Sequence, residues 1–416
     1  MNVLWITNIM LPPICEAMNL PIPAVGGWMY SSLKKLRGSS NINFCVATVY
    51  PGTQFIDKKI NGIRYFLLPL KGKSMIEYNS HLESFWENVS EAVKPEVVHI
   101  HGSEYPHGLA YVNACGTQGV VASIQGLVSV YSRYYTAGIN YKNIKNNVTF
   151  RDFAKHDGIL KGKESFEKRG RYEIELLQKV HHIIGRTDWD KAHTWAINPN
   201  AEYHYCGETL RDSFYHHKWS YDACEPHTMF VSQASYPIKG LHILLKAMPL
   251  VLKKYPDAKI YVAGGDPTSA PWWRISGYGK YLKQRIADLR LKDKVIFTGM
   301  INEEQMCQRY LKSNIFVCCS AIENSPNSLG EAQLLGMPYV ASFVGGVPEI
   351  VNWNSDVLYR FEEYEMLAEK ICKIFNEAQN TEIPFYDSNR YDEGLNTRLL
   401  LGIYKEIECH KKGSIR

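Results

Sequence analysis

Short apolar runs, many of them without polar alternation, recur along this chain with longer amphipathic stretches between them. Runs over 2–7, 43–50, 63–69, 97–102, 120–126, 181–187 and 201–206 predict strands in the first half. Runs over 228–234, 258–265, 294–299, 314–320 and 337–343 predict them in the second. A strand that is apolar nearly throughout has both faces covered, which is the condition of a strand inside a parallel sheet. Helical periodicity at 28–37, 84–93, 240–255, 278–291 and 302–313 fills the gaps. Strand–helix alternation of this kind builds right-handed βαβ units and a doubly wound α/β sheet.

The alternation restarts once. The polar, irregular segment RDSFYHHKWSYDACEPH (211–227) separates two such series. A chain of 416 residues is also too long for a single core. The expectation is an N-terminal domain over 1–212 and a second domain over 213–392, with a helix over 393–416 packing back on the first. In such a pair the strand C-termini face a shared cleft, where open α/β sheets bind ligands.

Composition narrows the function. With 45% hydrophobic and 21% charged residues the chain is an ordinary globular enzyme in make-up. A net charge of +5 is too mild for a nucleic-acid partner, though it permits weak attraction to an anionic membrane. The ten cysteines show no C-x-x-C spacing, which argues against a zinc motif or disulfide framework and for a reducing compartment. Cys318 and Cys319 read as small buried hydrophobes. The start, MNVLWITNIMLPP, lacks a basic region and breaks at two prolines, so it reads as a buried strand and not a signal peptide. No run approaches the ~20 apolar residues of a spanning helix. A soluble, cytoplasmic protein is expected.

Residues 138–172 break the pattern. Their nine Lys or Arg outnumber the acidic residues, and Tyr134, Tyr135, Tyr141 and Phe150 add aromatics suited to a membrane interface. This stretch is expected to form part of an acceptor site and to bring the protein to the inner face of a membrane.

The most informative stretch is ENSPNSLGE, residues 323–331. Pro326 forbids one helix through both glutamates. A strand therefore ends near Ser320, a loop carries Glu323, and a helix begins with Ser325 or Asn327 as N-cap and stops before Gly336. Amides near Ser328 and Leu329 would point out of that helix start, a site for a phosphate. Two carboxylates flanking an anion site suit a sugar nucleotide, with hydroxyls at both ends and phosphates between. The competing reading is a solvated loop glutamate and a helix-favouring one.

In its wider context, ENSPNSLGEAQLLGMPYVASFVGGVPEIV resembles the E-x7-E signature of GT-B glycosyltransferases of the large retaining family 4. Further resemblances follow in order: VGGWMYSSL, PEVVHIHGSEYPHG, GRTDWDKAHTWAINPNAEYHYCGETLR, FVSQASYPIKGLHILLKAM and KVIFTGM. The resemblance implies a GT-B fold of two Rossmann-like domains. It also implies a retaining transfer from a UDP- or GDP-linked sugar to a saccharide acceptor, lipid-linked in surface-polysaccharide or capsule assembly. Carried over by position, Glu331 would hold the ribose and Glu323 the donor sugar. Asn327, Ser328 and Leu329 would contact sugar and phosphate, and Lys239 the diphosphate. Met300 would offer backbone groups to the base, and Gly27 would let backbone approach the phosphates. His101 matches the histidine near the reacting carbon, against the bland reading of a satisfied core histidine; His99, on the same face, is the lesser candidate.

One departure stands out. Where the family has an arginine, this chain has Ser232-Gln233, and Gln233 supplies a hydrogen bond but no charge. Either Lys239 and the helix terminus act alone or another cation such as Arg186 reaches in, unless Arg186 makes an ion pair. Asp188 and Asp190 have Asp-x-Asp spacing but a poor position for a phosphate-bound metal, so metal-independent transfer is expected. Two rivals share the architecture: a nucleotide-sugar epimerase or phosphorylase, and a non-catalytic sugar-nucleotide-binding protein.

Overall fold

The computed structural model describes residues 1–23, 26–38, 41–377 and 388–413. Val25 of the glycine stretch, residues 378–387 of the expected second domain and residues 414–416 of the expected last helix lie outside them. The chain forms two compact units. The first comprises Met1–Val130, Ser165–Thr209 and Asn389–Arg416, and the second Tyr131–Glu164 and Leu210–Ser388.

The first unit is built on eight strands: β1 (Asn2–Thr7), β2 (Asn43–Tyr50), β3 (Ile56–Ile60), β4 (Ile63–Pro69), β5 (Val97–His101), β6 (Val120–Ser123), β7 (His182–Gly185) and β8 (Glu202–Tyr205). Their order is β3-β4-β2-β1-β5-β6-β7-β8, all neighbours parallel except β3 and β4. The unbroken apolarity of β1 has a direct cause. Leu4 and Ile6 enter the core on one face of the sheet, Val3 and Trp5 the core on the other. The helix Glu393–Gly413 belongs to this unit, and its Tyr404 hydroxyl accepts from Trp5 Nε1 at 2.9 Å.

The second unit carries β9 (Glu225–Val231), β10 (Lys259–Val262), β11 (Val295–Phe297), β12 (Ser313–Cys318), β13 (Tyr339–Ser342) and β14 (Leu358–Tyr359). The order is β11-β10-β9-β12-β13-β14, parallel throughout. Each unit is thus an α/β sheet of the doubly wound kind, parallel throughout in the second unit and parallel apart from the β3–β4 edge in the first. Among the described residues no helix is long and apolar enough to cross a membrane.

The structure departs from the sequence reading in two places that matter here. β3 pairs antiparallel with β4 through a two-residue turn, Asn61-Gly62, with φ of 48° and 80°. That is the left-handed geometry of a type I′ hairpin, which Asn-Gly favours. The second departure is the basic stretch. Residues 131–164 cluster with the second unit, not with the N-terminal domain to which the sequence reading assigned them. They form helices at Tyr141–Asn146 and Phe150–Lys155 and begin the helix Ile159–Lys179. Specific hydrogen bonds explain the attachment. Thr149 donates to the Ile275 carbonyl at 2.8 Å, Asp152 accepts from the Gly277 N–H at 3.0 Å, and His242 Nε2 lies 2.8 Å from the Ala137 carbonyl.

Candidate active site

In the second unit, the loop leaving the C-terminal end of β12 is held from two sides. Gly240 sits at φ 70°, and a Cβ there would lie 1.7 Å from the Cys319 carbonyl. Gly345 sits at φ 52°, and a Cβ there would lie 1.9 Å from the Glu323 carbonyl. Both positions require glycine for conformation and for space. Backbone bonds complete the clamp: Ala321 N–H to Ile238 O at 2.7 Å and Gly346 N–H to Glu323 O at 3.1 Å.

That clamp presents Glu323 to Lys239. Lys239 Nζ lies 2.7 Å from Glu323 Oε1, which also accepts from the Ser320 hydroxyl at 2.7 Å. Burial works to lower the Lys239 pKa, but Glu323 and Tyr236 outweigh it and hold the ammonium above its ordinary range. Lys239 is therefore a fixed positive charge at any working pH. Beside this loop opens a cavity of about 580 Å³ whose lining includes Arg133, Tyr134, Ala321, Phe343 and Arg360.

The helix after the loop runs Asn327–Leu335 and ends on Gly336 at φ 72°. Its N-cap is Pro326, with no side-chain cap bond, so neither Ser325 nor Asn327 plays the expected capping role. Proline already sets the extended φ that a cap needs. The Leu329 N–H donates to the Pro326 carbonyl at 3.0 Å and is not available to a ligand. The phosphate-facing amides expected of this junction reduce to Asn327 and Ser328, which open the helix without an intrahelical acceptor.

Glu331 is buried in the second turn and engaged by a residue the sequence reading passed over. Arg211 Nε and Nη2 reach Glu331 Oε1 and Oε2 at 2.6 and 2.7 Å, a two-pronged pairing. Burial raises the Glu331 carboxyl, and the Arg211 guanidinium opposes that rise. Each carboxylate oxygen keeps a second lone pair, so the pair can still accept hydroxyls. Of the other residues singled out in this unit, Gln233 is exposed, its Nε2 3.3 Å from the Ser235 hydroxyl, and Met300 is 72% exposed after β11.

In the first unit Gly27 opens the helix Gly27–Gly38, and His101 ends β5. His101 and His99 differ sharply. His99 is satisfied: Nδ1 lies 2.6 Å from the Tyr404 hydroxyl and Nε2 2.7 Å from that of Ser123. His101 stacks on His99 at 3.7 Å between ring centroids and sits 4.1 Å from the Trp5 ring, yet among the described residues neither of its nitrogens has a hydrogen-bond partner. Burial, then the neighbouring His99, push its pKa well below the ordinary value, so the ring is neutral. A buried imidazole with both nitrogens unpaired calls for an explanation, since nearly all such groups find partners. It lines a small cavity of about 50 Å³ with Trp28, Ser32, Gln125, Arg186 and Glu208.

Two other sequence alternatives are decided by side-chain partners. Arg186 is buried, paired with Glu208, and donates to the Ile124 and Gln125 carbonyls at 2.9 and 3.2 Å. It is an internal ion pair of the first unit. Asp190 accepts from the Arg186 N–H at 2.9 Å and from the Tyr203 hydroxyl, while Thr187 caps the helix Asp188–Ile197. Asp190 is thus a structural acceptor. Sequence reasoning also missed Glu104, which accepts from Asn8 Nδ2 at 2.9 Å. Burial drives its pKa up to about 7, and Glu173 adds to the rise.

Residues 225–377 match the model of a family described as Glycosyl transferases group 1. Spore coat protein SA of Bacillus subtilis (strain 168) is 27% identical over 158 residues, which is 37% of this chain and 40% of that protein's length. Among solved structures, the sucrose-phosphate synthase of Thermosynechococcus elongatus superposes with a TM-score of 0.66 at 15% identity, over 100% of this chain and 98% of that one. Anabaena HepE, solved in complex with UDP, gives a TM-score of 0.60 at 15% identity, over 98% and 100% of the two chains. These two parallel-sheet units have the GT-B fold, and the match of residues 225–377 to the glycosyl transferases group 1 model falls on the second unit, where the clamped E-x7-E junction sits.

Proposed function

We propose that this protein is a retaining glycosyltransferase that moves a sugar from a nucleoside diphosphate sugar to a saccharide acceptor. The observation that carries the reading is the Lys239–Glu323 pair, held at the end of β12 next to the Asn327–Leu335 helix start and the anchored Glu331. In this reading Glu331, oriented by Arg211, accepts the ribose hydroxyls. Lys239 and the amides of Asn327 and Ser328 neutralise the departing diphosphate without a metal ion. Glu323 holds donor-sugar hydroxyls, and the departing phosphate oxygen takes the acceptor's proton on the front face. In the first unit, the unpaired nitrogens of His101 support a hydroxyl-binding role there. The UDP in the Anabaena structure favours a UDP-linked donor.

The test is thermal melting of the protein against UDP-, GDP- and ADP-linked sugars. A true donor at about 100 times its Kd adds about 2.7 kcal/mol of stability. A flat melting temperature across the panel sinks the donor reading. Turnover of the stabilising nucleotide sugar with no acceptor present identifies an epimerase instead.

The finer reading is a cytoplasmic protein that visits the inner face of a membrane to reach a lipid-linked acceptor. What supports it is a group of exposed aromatics in the second unit: Tyr141 (59%), Phe150 (62%), Phe153 (74%) and Trp272 (72%), with Phe150 and Trp272 rings 6.5 Å apart. Lys142, Lys145 and Lys155 are exposed on the same two short helices. Aromatic and basic side chains together suit an anionic interface, at roughly 1 kcal/mol per basic residue. Other basic residues of the stretch are less apt. Arg169 is buried, stacked on Phe166 and Tyr105, and Lys168 pairs with Glu77; Tyr135, too, is buried. A Phe150→Ser/Phe153→Ser/Trp272→Ser variant is expected to lose pelleting with phosphatidylglycerol vesicles at low salt. Equal pelleting of variant and wild type eliminates the membrane contact.

A further inference from the structure

At the far edge of the first unit's sheet, β7 and β8 pair in parallel with His182 opposite Glu202 and Ile184 opposite His204. Residues two apart on a strand share a face, so His182, Glu202 and His204 rise from the same side. The helix Glu393–Gly413 brings Glu406 and His410 there, one turn apart on one helix face. Three imidazoles and two carboxylates from three elements thereby converge.

The distances are short. His182 Nδ1 lies 3.4 Å from Glu202 Oε2 and 3.1 Å from His204 Nε2. His204 Nδ1 lies 3.9 Å from Glu406 Oε2, and the His182 and His410 rings stack with centroids 5.5 Å apart. Ligand atoms of His182, Glu202 and His410 all lie within 4.8 Å of one another, as do those of Glu202, His204 and Glu406. A tetrahedral ion with bonds of about 2.0–2.1 Å wants its ligand atoms roughly 3.3 Å apart. Exposed glutamate and histidine side chains close that gap by small rotations.

We propose that His182, Glu202 and His410 form a site for a divalent cation of the Zn²⁺ class, flanked by His204 and Glu406, which fastens the C-terminal helix to the edge of the sheet. Nitrogen-rich donors with one carboxylate suit borderline transition metals and not Mg²⁺ or Ca²⁺. His204 Nε2 lies beside the same His182 Nδ1 that faces Glu202, so it stands at the site as a further nitrogen donor. The role is structural. His182 and Glu202 begin their strands, whereas His101 ends β5, so the site occupies the opposite end of the sheet from His101.

The test uses untagged full-length protein stripped with EDTA and titrated with ZnCl₂ by calorimetry and thermal melting. The expected result is one equivalent bound at micromolar or tighter Kd and a raised melting temperature. Amide exchange in 393–413 should slow with Zn²⁺, and neither Mg²⁺ nor Ca²⁺ should substitute. Glu202→Ala and His410→Ala, both at exposed side chains, should each weaken uptake at least tenfold, while Cys409→Ser should bind as wild type. Absence of saturable uptake overturns the proposal. So does undiminished uptake in the Glu202→Ala/His410→Ala variant, or its loss in Cys409→Ser.

Discussion

Lys239→Ala should lower kcat by about 10²–10³ while the protein remains folded. Removing one preorganised charge from a developing anion costs about 3–4 kcal/mol of transition-state stabilisation. Lys239 is preorganised in the literal sense. Its ammonium is held 2.7 Å from Glu323 by a turn whose next residue, Gly240, packs on the Cys319 carbonyl. The same substitution strands the Glu323 carboxylate with Ser320 as its remaining side-chain donor. The stability cost should fall below the ~3–5 kcal/mol of a fully buried pair, because the Lys239 side chain keeps 21% exposure. Measuring kcat and melting temperature on one preparation separates the two effects. Lys239→Arg, which keeps the charge, should recover part of kcat. A folded Lys239→Ala with wild-type kcat removes Lys239 from the chemistry.

Much of this was open to sequence reasoning because parallel sheets write themselves plainly. Strands loaded on both faces stay apolar end to end, and β1, β2 and β4 appear with the bounds their hydrophobic runs imply. β3 escaped because Asp57, Lys58 and Lys59 interrupt its apolarity at a half-solvated edge. The Asn61-Gly62 turn was nevertheless a legible hairpin signal. The placement of 131–164 was not legible. It rests on Thr149, Asp152 and Ala137 meeting partners more than 100 residues away, and no periodicity encodes that.

The site shows the same division. Spacing and proline placed the strand end, the loop and the helix of ENSPNSLGE, since those follow from local backbone rules. It could not give the partners. Arg211 lies 120 residues from Glu331 and in the very segment read as an interdomain linker. His101 and His99 look alike in VHIHG, and only the Tyr404 and Ser123 hydroxyls tell them apart. The histidine–glutamate cluster on β7, β8 and the last helix has no spacing signature at all, because its members meet only in the fold.

The second large effect concerns Glu331, and Arg211 dictates how it must be measured. Glu331→Ala should weaken binding of the free nucleoside diphosphate by about 1–3 kcal/mol, the value of hydrogen bonds to a charged acceptor. It also leaves the Arg211 guanidinium without its carboxylate partner in a largely buried position, and breaking such a pair costs about 3–5 kcal/mol of stability. A single variant confounds the two losses. The remedy is a cycle of Glu331→Ala, Arg211→Leu and the double variant, each followed by melting and by calorimetric titration with the nucleoside diphosphate. The double variant should regain stability relative to Glu331→Ala, since no lone buried charge remains. Its nucleotide affinity should stay low, because the hydroxyl acceptor is still missing. Arg211→Leu alone should bind with intermediate affinity, its carboxylate present but no longer held in place. Wild-type affinity in the double variant would mean that Glu331 serves only to neutralise Arg211, and the ribose assignment would fall.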